Sequence, residues 1–352
     1  MIQEQFSLPL LEWFDNHGRK DLPWQHPRSP YRVWISEIML QQTQVKTVIP
    51  YFNQFMSKFA NIEQLAQASE DNVLAQWSGL GYYSRARNLH KTAKIICEQY
   101  KGEFPSDLTN LIALPGIGPS TAAAITSLAF NQANPIMDGN VKRVLCRYFL
   151  IDGWPEQSAV KQKLWQLADQ CMPRERCADY TQAIMDLGAT CCKSKNPDCN
   201  SCPVQTHCLA RQRDLASLYP HKKVKKKLAV KQQQFLLLYD NNNRIYLEKR
   251  PPTGIWGGLW CMPSIAMKDC PREYLANTYG FSCRDQQELL FIRHSFSHFH
   301  LEISSLALQT AINANRVAEH TGKWYEAKEI GELGLAKPIS DIINHFFSKV
   351  PQ

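Results

Sequence analysis

The stretch LIALPGIGPSTAAAITSLAF, residues 111–130, predicts two helices joined by a tight turn. Pro115, Gly116 and Gly118 supply the turn, and Pro119 suits the first position of the second helix. A hairpin of this kind presents backbone N–H groups at a helix N-terminus, where a phosphate can bind. A bare Pro-Gly-x-Gly is also an ordinary turn, so this motif alone does not identify a function.

A second motif, CCKSKNPDCNSCPVQTHC at residues 191–208, places five of the twelve cysteines in one short loop. Cys192, Cys199, Cys202 and Cys208 have the spacing C-x6-C-x2-C-x5-C, which lets four thiolates surround one centre. Zinc ribbons use two C-x2-C pairs, and this loop has one. The pattern therefore favours an iron–sulfur cluster over zinc, and the polar loop disfavours a metal-free packed core. Cys191 could replace its neighbour Cys192 as a ligand.

Composition indicates a globular protein without a membrane segment. The 352 residues are 44% hydrophobic and 20% charged, and the net charge of +8 permits a polyanionic partner. The N-terminus lacks the features of a secretory signal, and no apolar run reaches the ~18 residues that cross a bilayer. We therefore expect a cytoplasmic location, where structural disulfides are uncommon.

The character of the sequence changes after residue 212. Up to that point apolar residues recur at helical spacing, beginning with an amphipathic first helix. Five lysines from Lys222 to Lys227 then indicate an exposed linker, and strand-like runs with an Asn-rich hairpin turn follow. We predict an all-α domain over 1–212, a basic linker over 213–230 and an α+β domain over 231–352.

Two acidic residues are candidates for catalysis. Glu37 lies in a predicted helix that begins near Pro30, and its neighbours are apolar except Arg32 and Ser36, which are predicted to be solvated. Burial of this kind raises the pKa of a carboxyl group and keeps its proton available near neutral pH. Asp138 follows Gly118 by twenty residues and is also a good N-cap for the next helix, which is the commoner role for such a residue.

The hairpin, the aspartate after it and the cysteine spacing together resemble the helix–hairpin–helix DNA glycosylases that carry an iron–sulfur cluster. Endonuclease III-like members have a lysine just after the hairpin, and this chain has Ser120 there. The loss of that amine points to the adenine DNA glycosylase branch of the MutY type. Further segments of this chain resemble that branch: LPWQ (22–25), WISEIMLQQTQVKTVIPYF (34–52), GLGYYSRARNLH (79–90) and MDGNVKRVL (137–145).

The resemblance implies hydrolysis of the N-glycosidic bond of adenine paired with 8-oxoguanine or guanine in double-stranded DNA. Glu37 would act as the acid, Asp138 would stabilise or trap the oxocarbenium ion, and water would complete the reaction. One [4Fe-4S] cluster would be held by Cys192, Cys199, Cys202 and Cys208, in the loop 192–208. The protein would be a monofunctional, monomeric enzyme at the bacterial nucleoid.

The resemblance also implies a set of DNA contacts, because a stacked base must be flipped out of the duplex before it can react. The gap left by the base would be filled by the turn residues Gln41, Gln42, Thr43 and Tyr82. The amide of Gln182 would read adenine, and the indole of Trp24 would line its pocket. The hairpin region would hold the DNA backbone through Gly116, Gly118, Ser120 and Asn140.

The C-terminal part resembles the Nudix fold with a broken hydrolase signature. PREYLANTYGF (271–281) has Ala276-Asn277-Thr278 where the magnesium-binding acids should be, so a pyrophosphatase is not expected. The resemblance implies a module that recognises 8-oxoguanine through Phe296, Ser297 and His298. A metal site at the nearby histidines is the weaker interpretation. The basic stretches Arg85–Lys94 and Lys222–Lys227 are predicted to contact phosphates.

Two other functions stay open at this point. One is a bifunctional glycosylase/lyase, for which Lys142, close to Asp138 in sequence, is a possible amine. The other is a damage-binding protein without catalysis, although Glu37 and Asp138 are both present.

Overall fold

The computed structural model describes residues 2–223, 227–312 and 322–349. Two compact units make up the chain. We call the first the helical unit, formed by Met1–Gln67 and Asn88–Lys225, and the second the mixed unit, formed by Ala68–Arg87 and Lys226–Gln352. Part of the lysine run predicted as a linker, residues 224–226, lies outside the described residues.

Helices dominate the first part of the chain, as predicted. In chain order they are α1 (Leu8–His17), α2 (Pro30–Leu40), α3 (Val45–Lys58), α4 (Ile62–Gln67), α5 (Glu70–Gln76), α6 (Ser84–Tyr100), α7 (Leu108–Ile112), α8 (Pro119–Phe130), α9 (Gly139–Tyr148), α10 (Ser158–Cys171), α11 (Cys177–Asp186) and α12 (Leu209–Gln212). A short π-helical segment, Gln3–Ser7, precedes α1, and a second one, Leu187–Cys191, follows α11. No described helix has both the length and the apolar character needed to cross a bilayer.

The helix pair α7 and α8 confirms the prediction for residues 111–130. Pro119 occupies the first turn of α8, and every residue from Thr121 to Leu128 is buried. α8 packs against α2 on one side and against α11 on another. A helix that is apolar or small all round is suited to such a central position, because it has no face to expose to water.

The helix that carries Glu37 starts where the sequence predicts. Ser29 caps α2 by accepting a hydrogen bond from the Arg32 N–H at 3.3 Å. The prediction that Ser36 is solvated is wrong: its side chain is buried, and its hydroxyl donates to the Val33 carbonyl at 2.8 Å. That local bond satisfies the hydroxyl, so Ser36 can lie in the core beside Glu37.

The mixed unit contains a sheet with helices beside it, as predicted for the C-terminal part. Its strands are β1 (Ala229–Tyr239), β2 (Ile245–Lys249), β3 (Trp260–Cys261), β4 (Ser264–Ile265), β5 (Phe281–Ser295), β6 (Phe299–Ile312) and β7 (Lys323–Tyr325). The strand order is β3-β2-β1-β6-β5, with β4 beside β1 and β7 beside β2. Only the β1–β6 pair among these described strands is parallel. Its helices are α13 (Pro271–Tyr279), α14 (Ala327–Ile330) and α15 (Lys337–Lys349).

Residues 68–87 pack with the mixed unit, although sequence order places them inside the predicted 1–212 domain. The Ser78 hydroxyl donates to the Leu335 carbonyl at 2.7 Å, and Lys249 pairs with Asp71 at 2.7 Å. Arg87 donates to the carbonyls of Gly257 and Pro252. A chain cut after residue 212 would therefore lose these contacts.

The same segment corrects one of the predicted phosphate contacts. Arg85 is only 8% exposed, its guanidinium lies over the Trp77 ring, and its Nη2 donates to the carbonyls of Leu80 and Gly81. Burial lowers the pKa of Arg85 to about 10. Arg85 therefore stabilises the turn before α6 and is not available to a phosphate, whereas Lys91 and Lys94 farther along α6 are exposed.

Candidate active site

Glu37 and Asp138 meet in the helical unit. Glu37 lies near the end of α2, and burial raises its pKa to about 8, with the negative charge of Asp138 raising it further. Asp138 caps α9: Oδ1 accepts the Val141 N–H at 2.7 Å, and Oδ2 accepts from Asn140 Nδ2 at 3.0 Å. Two carboxyl groups far apart in sequence are thus close enough to influence each other electrostatically.

The two carboxyl groups have different environments. Burial is the main cause of the raised pKa of Asp138, but the donors from Val141 and Asn140 and the charge of Arg143 act in the opposite direction. Glu37 has burial and a neighbouring negative charge, which both favour its protonated form. A pair of this kind can supply one proton donor and one anion at neutral pH.

Ser120 connects the hairpin to the aspartate. Its hydroxyl accepts a hydrogen bond from the Met137 N–H at 3.3 Å, directly before Asp138 in the chain. The nearby amine of Lys142 is paired with Glu156 at 2.6 Å. This pairing turns the Lys142 amine towards Glu156 and so disfavours it as a nucleophile.

A chain of hydrogen bonds leads from Asp138 to the cysteine loop, and the sequence did not predict it. Arg143 Nη2 donates to Asn140 Oδ1 at 2.9 Å and to the Gly188 carbonyl at 2.6 Å. Its Nε donates to the Cys192 carbonyl at 2.8 Å. Asn140, predicted as a DNA contact, therefore also orients Asp138. The sequence signal that could have indicated this chain of hydrogen bonds is the four-residue spacing of Arg143 and Arg147, which places them one turn apart on α9.

The four predicted cysteine ligands surround one small cavity. Cys192, Cys199, Cys202 and Cys208 all line it, together with Cys191 and with apolar groups that include Val144, Leu187 and Val204. Within the described residues, no group of three or more His, Cys, Asp or Glu side chains has the arrangement to hold a metal ion. A shared cavity edged by four thiols has the chemistry that a cluster requires, so these residues fit the predicted group.

Arg147 is buried beside this cavity. Its Nη1 donates to the Cys192 sulfur at 3.2 Å and to the Lys193 carbonyl at 2.8 Å. Its Nε donates to the Tyr219 carbonyl at 2.9 Å. A cation that donates to a cysteine sulfur stabilises negative charge there. The first part of the predicted linker is thus attached to the cysteine loop.

The predicted wedge residues lie in turns. Gln42 has φ of 58° and is exposed, and Tyr82 has φ of 50° and is 46% exposed. Gln41 Nε2 donates to the Thr121 hydroxyl at 3.3 Å, and the Thr43 hydroxyl donates to the Gln41 carbonyl. Non-glycine residues in the left-handed region are uncommon and often belong to functional turns.

The hairpin turn itself is open to solvent. Gly116 has φ of 79°, and both Gly116 and Gly118 are exposed. A Cβ at Gly116 would lie 2.8 Å from the Asn88 Cβ, so only glycine fits there. The turn is therefore open on the side where the sequence predicts a phosphate contact.

The two residues predicted for the adenine pocket are both buried. Trp24 packs edge-to-face against Phe52, with 5.5 Å between the ring centroids. Gln182 lies in α11, and its Nε2 donates to Asp186 Oδ1 at 2.8 Å. Packing alone thus accounts for the burial of Trp24, whereas Gln182 belongs to a polar network that the sequence did not predict.

A cleft of about 720 Å³ lies in the mixed unit. Its lining includes Tyr82 and Phe296, Ser297 and His298, which were predicted from separate motifs. Ser297 and His298 are exposed in the three-residue connection between β5 and β6, where the Phe296 N–H donates to the Phe299 carbonyl at 2.9 Å. Phe296 stacks on Phe299 at 4.6 Å. Ser297 and His298 are thus the exposed polar members of this predicted trio, and Ser297 Oγ lies 3.3 Å from His298 Nδ1.

Comparisons with known proteins match both parts of the chain to known families. Residues 35–170 match the HhH-GPD superfamily of base excision DNA repair proteins, and residues 234–345 match the NUDIX domain. The chain is 41% identical over 342 residues to an adenine DNA glycosylase of Buchnera aphidicola from Schizaphis graminum, covering 97% of this chain and 98% of that protein. It is 46% identical over 217 residues to human adenine DNA glycosylase, covering 59% of this chain and 40% of the human protein.

Solved structures agree on the helical fold. A thermostable thymine-DNA glycosylase is 28% identical, with a TM-score of 0.55 over 60% of this chain and 97% of that one. Endonuclease III in a non-covalent DNA complex is 22% identical, with a TM-score of 0.52 over 61% of this chain and 98% of that one. The predicted fold class, a helical glycosylase domain followed by a Nudix-like α+β domain, is confirmed.

Proposed function

The chain belongs to the adenine DNA glycosylase family and is a base-excision-repair enzyme that acts on DNA to remove adenine, and we propose that its substrate is adenine paired with 8-oxoguanine or guanine. Hydrolysis of the N-glycosidic bond is the reaction, without strand cleavage. The observation that carries this proposal is that Glu37 and Asp138 lie in one site, where burial and the nearby charge of Asp138 raise the pKa of Glu37 to about 8.

The chemistry follows from the two environments. Adenine is a poor leaving group as an anion, so Glu37 protonates a ring nitrogen of the flipped base and makes it leave as a neutral molecule. The departing base leaves positive charge on the deoxyribose, and Asp138 stabilises that charge until water attacks. Asn140 and the Val141 N–H hold the Asp138 carboxylate in place for this step.

The partner base is recognised by the cleft of the mixed unit. Ser297 and His298 offer hydroxyl and imidazole groups at its edge, and Tyr82 contributes an exposed ring. The helix α13 exposes Ala276 and Asn277 at positions where a Nudix hydrolase would need acidic residues to bind magnesium. The mixed unit therefore binds the oxidised purine and does not hydrolyse nucleotides.

One [4Fe-4S] cluster is held by Cys192, Cys199, Cys202 and Cys208, which line the common cavity. When bound, the cluster fixes the fold of the loop, since four thiolate bonds restrain four points of the chain. Arg143 and Arg147 then connect the loop to α9 and so to Asp138.

Incubation with three duplexes tests this function. We expect excision of adenine opposite 8-oxoguanine and opposite guanine, and no excision of cytosine opposite 8-oxoguanine. Strands should break at the product site only after alkali, because Ser120 provides no amine and Lys142 is ion-paired. Efficient cleavage without alkali would favour the glycosylase/lyase alternative, and binding without excision would favour the damage-binding one.

The cluster gives a separate prediction. Protein purified without oxygen should be brown and contain about four irons per chain, the number that a cubane with four thiolates holds. Cys199→Ser should lower the soluble yield and the iron content, whereas Cys191→Ser should not. Stoichiometric zinc without visible absorption would contradict the cluster, and the reverse pattern of the two variants would make Cys191 a ligand.

The recognition turn gives a third prediction. Ser297→Ala combined with His298→Ala should weaken the preference for 8-oxoguanine over guanine by about 1–3 kcal/mol, as for ordinary base-edge contacts. Excision from the adenine–guanine pair should remain. The matched control is Ser348→Ala with His345→Ala on α15, outside the cleft lining. Equal preference in the two double variants would remove the turn from recognition.

A further inference from the structure

Asp186, at the end of α11, is fully buried and accepts a set of hydrogen bonds that the reaction described above does not use. Oδ2 accepts the Arg19 N–H at 2.7 Å, and Oδ1 accepts from Arg19 Nε at 2.9 Å and Nη2 at 2.6 Å. Oδ1 also accepts from Gln182 Nε2 at 2.8 Å. Every hydrogen bond to this carboxyl group comes from an N–H donor, and both of its oxygens act as acceptors.

This arrangement fixes the orientation of the Gln182 amide. A glutamine amide has a donor end and an acceptor end of similar shape, and a half-turn exchanges them. A carboxylate accepts hydrogen bonds only, so Gln182 must turn Nε2 towards Asp186 and its carbonyl oxygen away from it. Since Gln182 is only 4% exposed, water does not readily replace its hydrogen bond to Asp186.

The same network reaches the segment that carries Trp24. The Arg19 carbonyl accepts from Gln25 Nε2 at 3.0 Å, and Gln25 Oε1 accepts the Leu22 N–H at 3.1 Å. The segment 22–25, which contains Trp24, is thus connected to Gln182 through Gln25, Arg19 and Asp186.

We propose that Asp186 is a positioning residue for base selection, which turns the carbonyl of Gln182 towards the 6-substituent of the flipped purine. This inference rests on the proposed role of Gln182 in reading adenine. Adenine carries an amine at position 6, which donates to a carbonyl oxygen. Hypoxanthine carries an oxygen there, which a fixed carbonyl oxygen repels. Asp186 would therefore favour adenine without touching it.

Single-turnover excision of adenine and of hypoxanthine, each opposite 8-oxoguanine, tests the proposal at saturating enzyme. The wild-type enzyme should prefer adenine. Asp186→Asn can offer Gln182 either a donor or an acceptor, so the amide can turn, and the preference should fall by at least about tenfold, the worth of one hydrogen bond. Gln182→Ala should lower the preference similarly. Adding Asp186→Asn to Gln182→Ala should change the preference no further, because no amide remains to be oriented.

The outcomes separate the two ideas. If Gln182→Ala keeps the wild-type preference, Gln182 does not read the base, and the proposed reading role fails together with the inference. If Gln182→Ala loses the preference and Asp186→Asn keeps it, the inference alone is overturned. Asp186→Asn combined with Arg19→Met serves if Asp186→Asn alone is insoluble: it leaves no unpaired buried charge and still lets the Gln182 amide turn, so a preference unchanged from the wild type would count equally against Asp186.

Discussion

Glu37→Gln should bind mismatch DNA with unchanged affinity and lose adenine excision by about 10²–10⁴-fold, the usual contribution of a general acid. The amide has the shape of the acid and no proton to give. Single-turnover rates measure the loss of excision, and binding measured under conditions without excision gives the DNA affinity, so the two effects are separated. Glu12→Gln, an exposed residue of α1, is the matched control. Retained excision in Glu37→Gln would remove the acid role.

The raised pKa of Glu37 predicts the direction of the pH dependence. Excision by the wild-type enzyme should fall as the pH rises through about 8, because the proton on Glu37 is lost there. The same group makes the free energy of unfolding depend on pH. Between pH 4.5, the usual pKa of a glutamate, and about pH 8, Glu37 is protonated in the folded protein and ionised in the unfolded chain. Because the folded state binds the extra proton, its stability decreases as the pH rises through this range. Glu37→Gln needs no such proton and should melt higher than the wild type at pH 7.

Local patterns were sufficient for the features that lie within one stretch of sequence. The hairpin at 111–130, the helix from Pro30, the cap at Asp138 and the hairpin between β1 and β2 all depend on neighbours a few residues apart. Turn residues, caps and apolar spacing report such contacts directly. The fold class followed from these features together with the resemblance.

Contacts between distant residues could not be predicted in this way. The Arg19–Asp186 pair spans 167 positions, and the link from Arg143 to the Cys192 carbonyl spans 49. Arg85 belongs to a basic stretch that was predicted from the sequence to contact phosphates. Its burial depends on Trp77 and on two backbone carbonyls. Composition records the charge of a side chain and not the acceptors that tertiary structure brings to it.

Asp138→Asn should lower excision by about 10²–10³-fold, as expected when a group that stabilises transition-state charge is neutralised. Asparagine caps helices as well as aspartate does, so α9 and the melting temperature should be nearly unchanged. Asp138→Ala should lose the same activity and also the cap, at a cost of about 1 kcal/mol in the free energy of unfolding. Asn140→Ala, which removes one donor to Asp138 and leaves its charge, should reduce the rate less than either.

The same variant tests whether the two carboxyl groups interact. The charge of Asp138 contributes to the raised pKa of Glu37, after burial. Removing that charge should therefore shift the alkaline decline of the residual activity in Asp138→Asn to lower pH, while burial keeps the pKa above its usual value. The measurement is the single-turnover rate of Asp138→Asn and Asn140→Ala from pH 5 to 9. If the rate of Asp138→Asn declines at the same alkaline pH as the wild type, Glu37 titrates independently of Asp138. The proposal that the charge of Asp138 helps to keep Glu37 protonated would then be wrong.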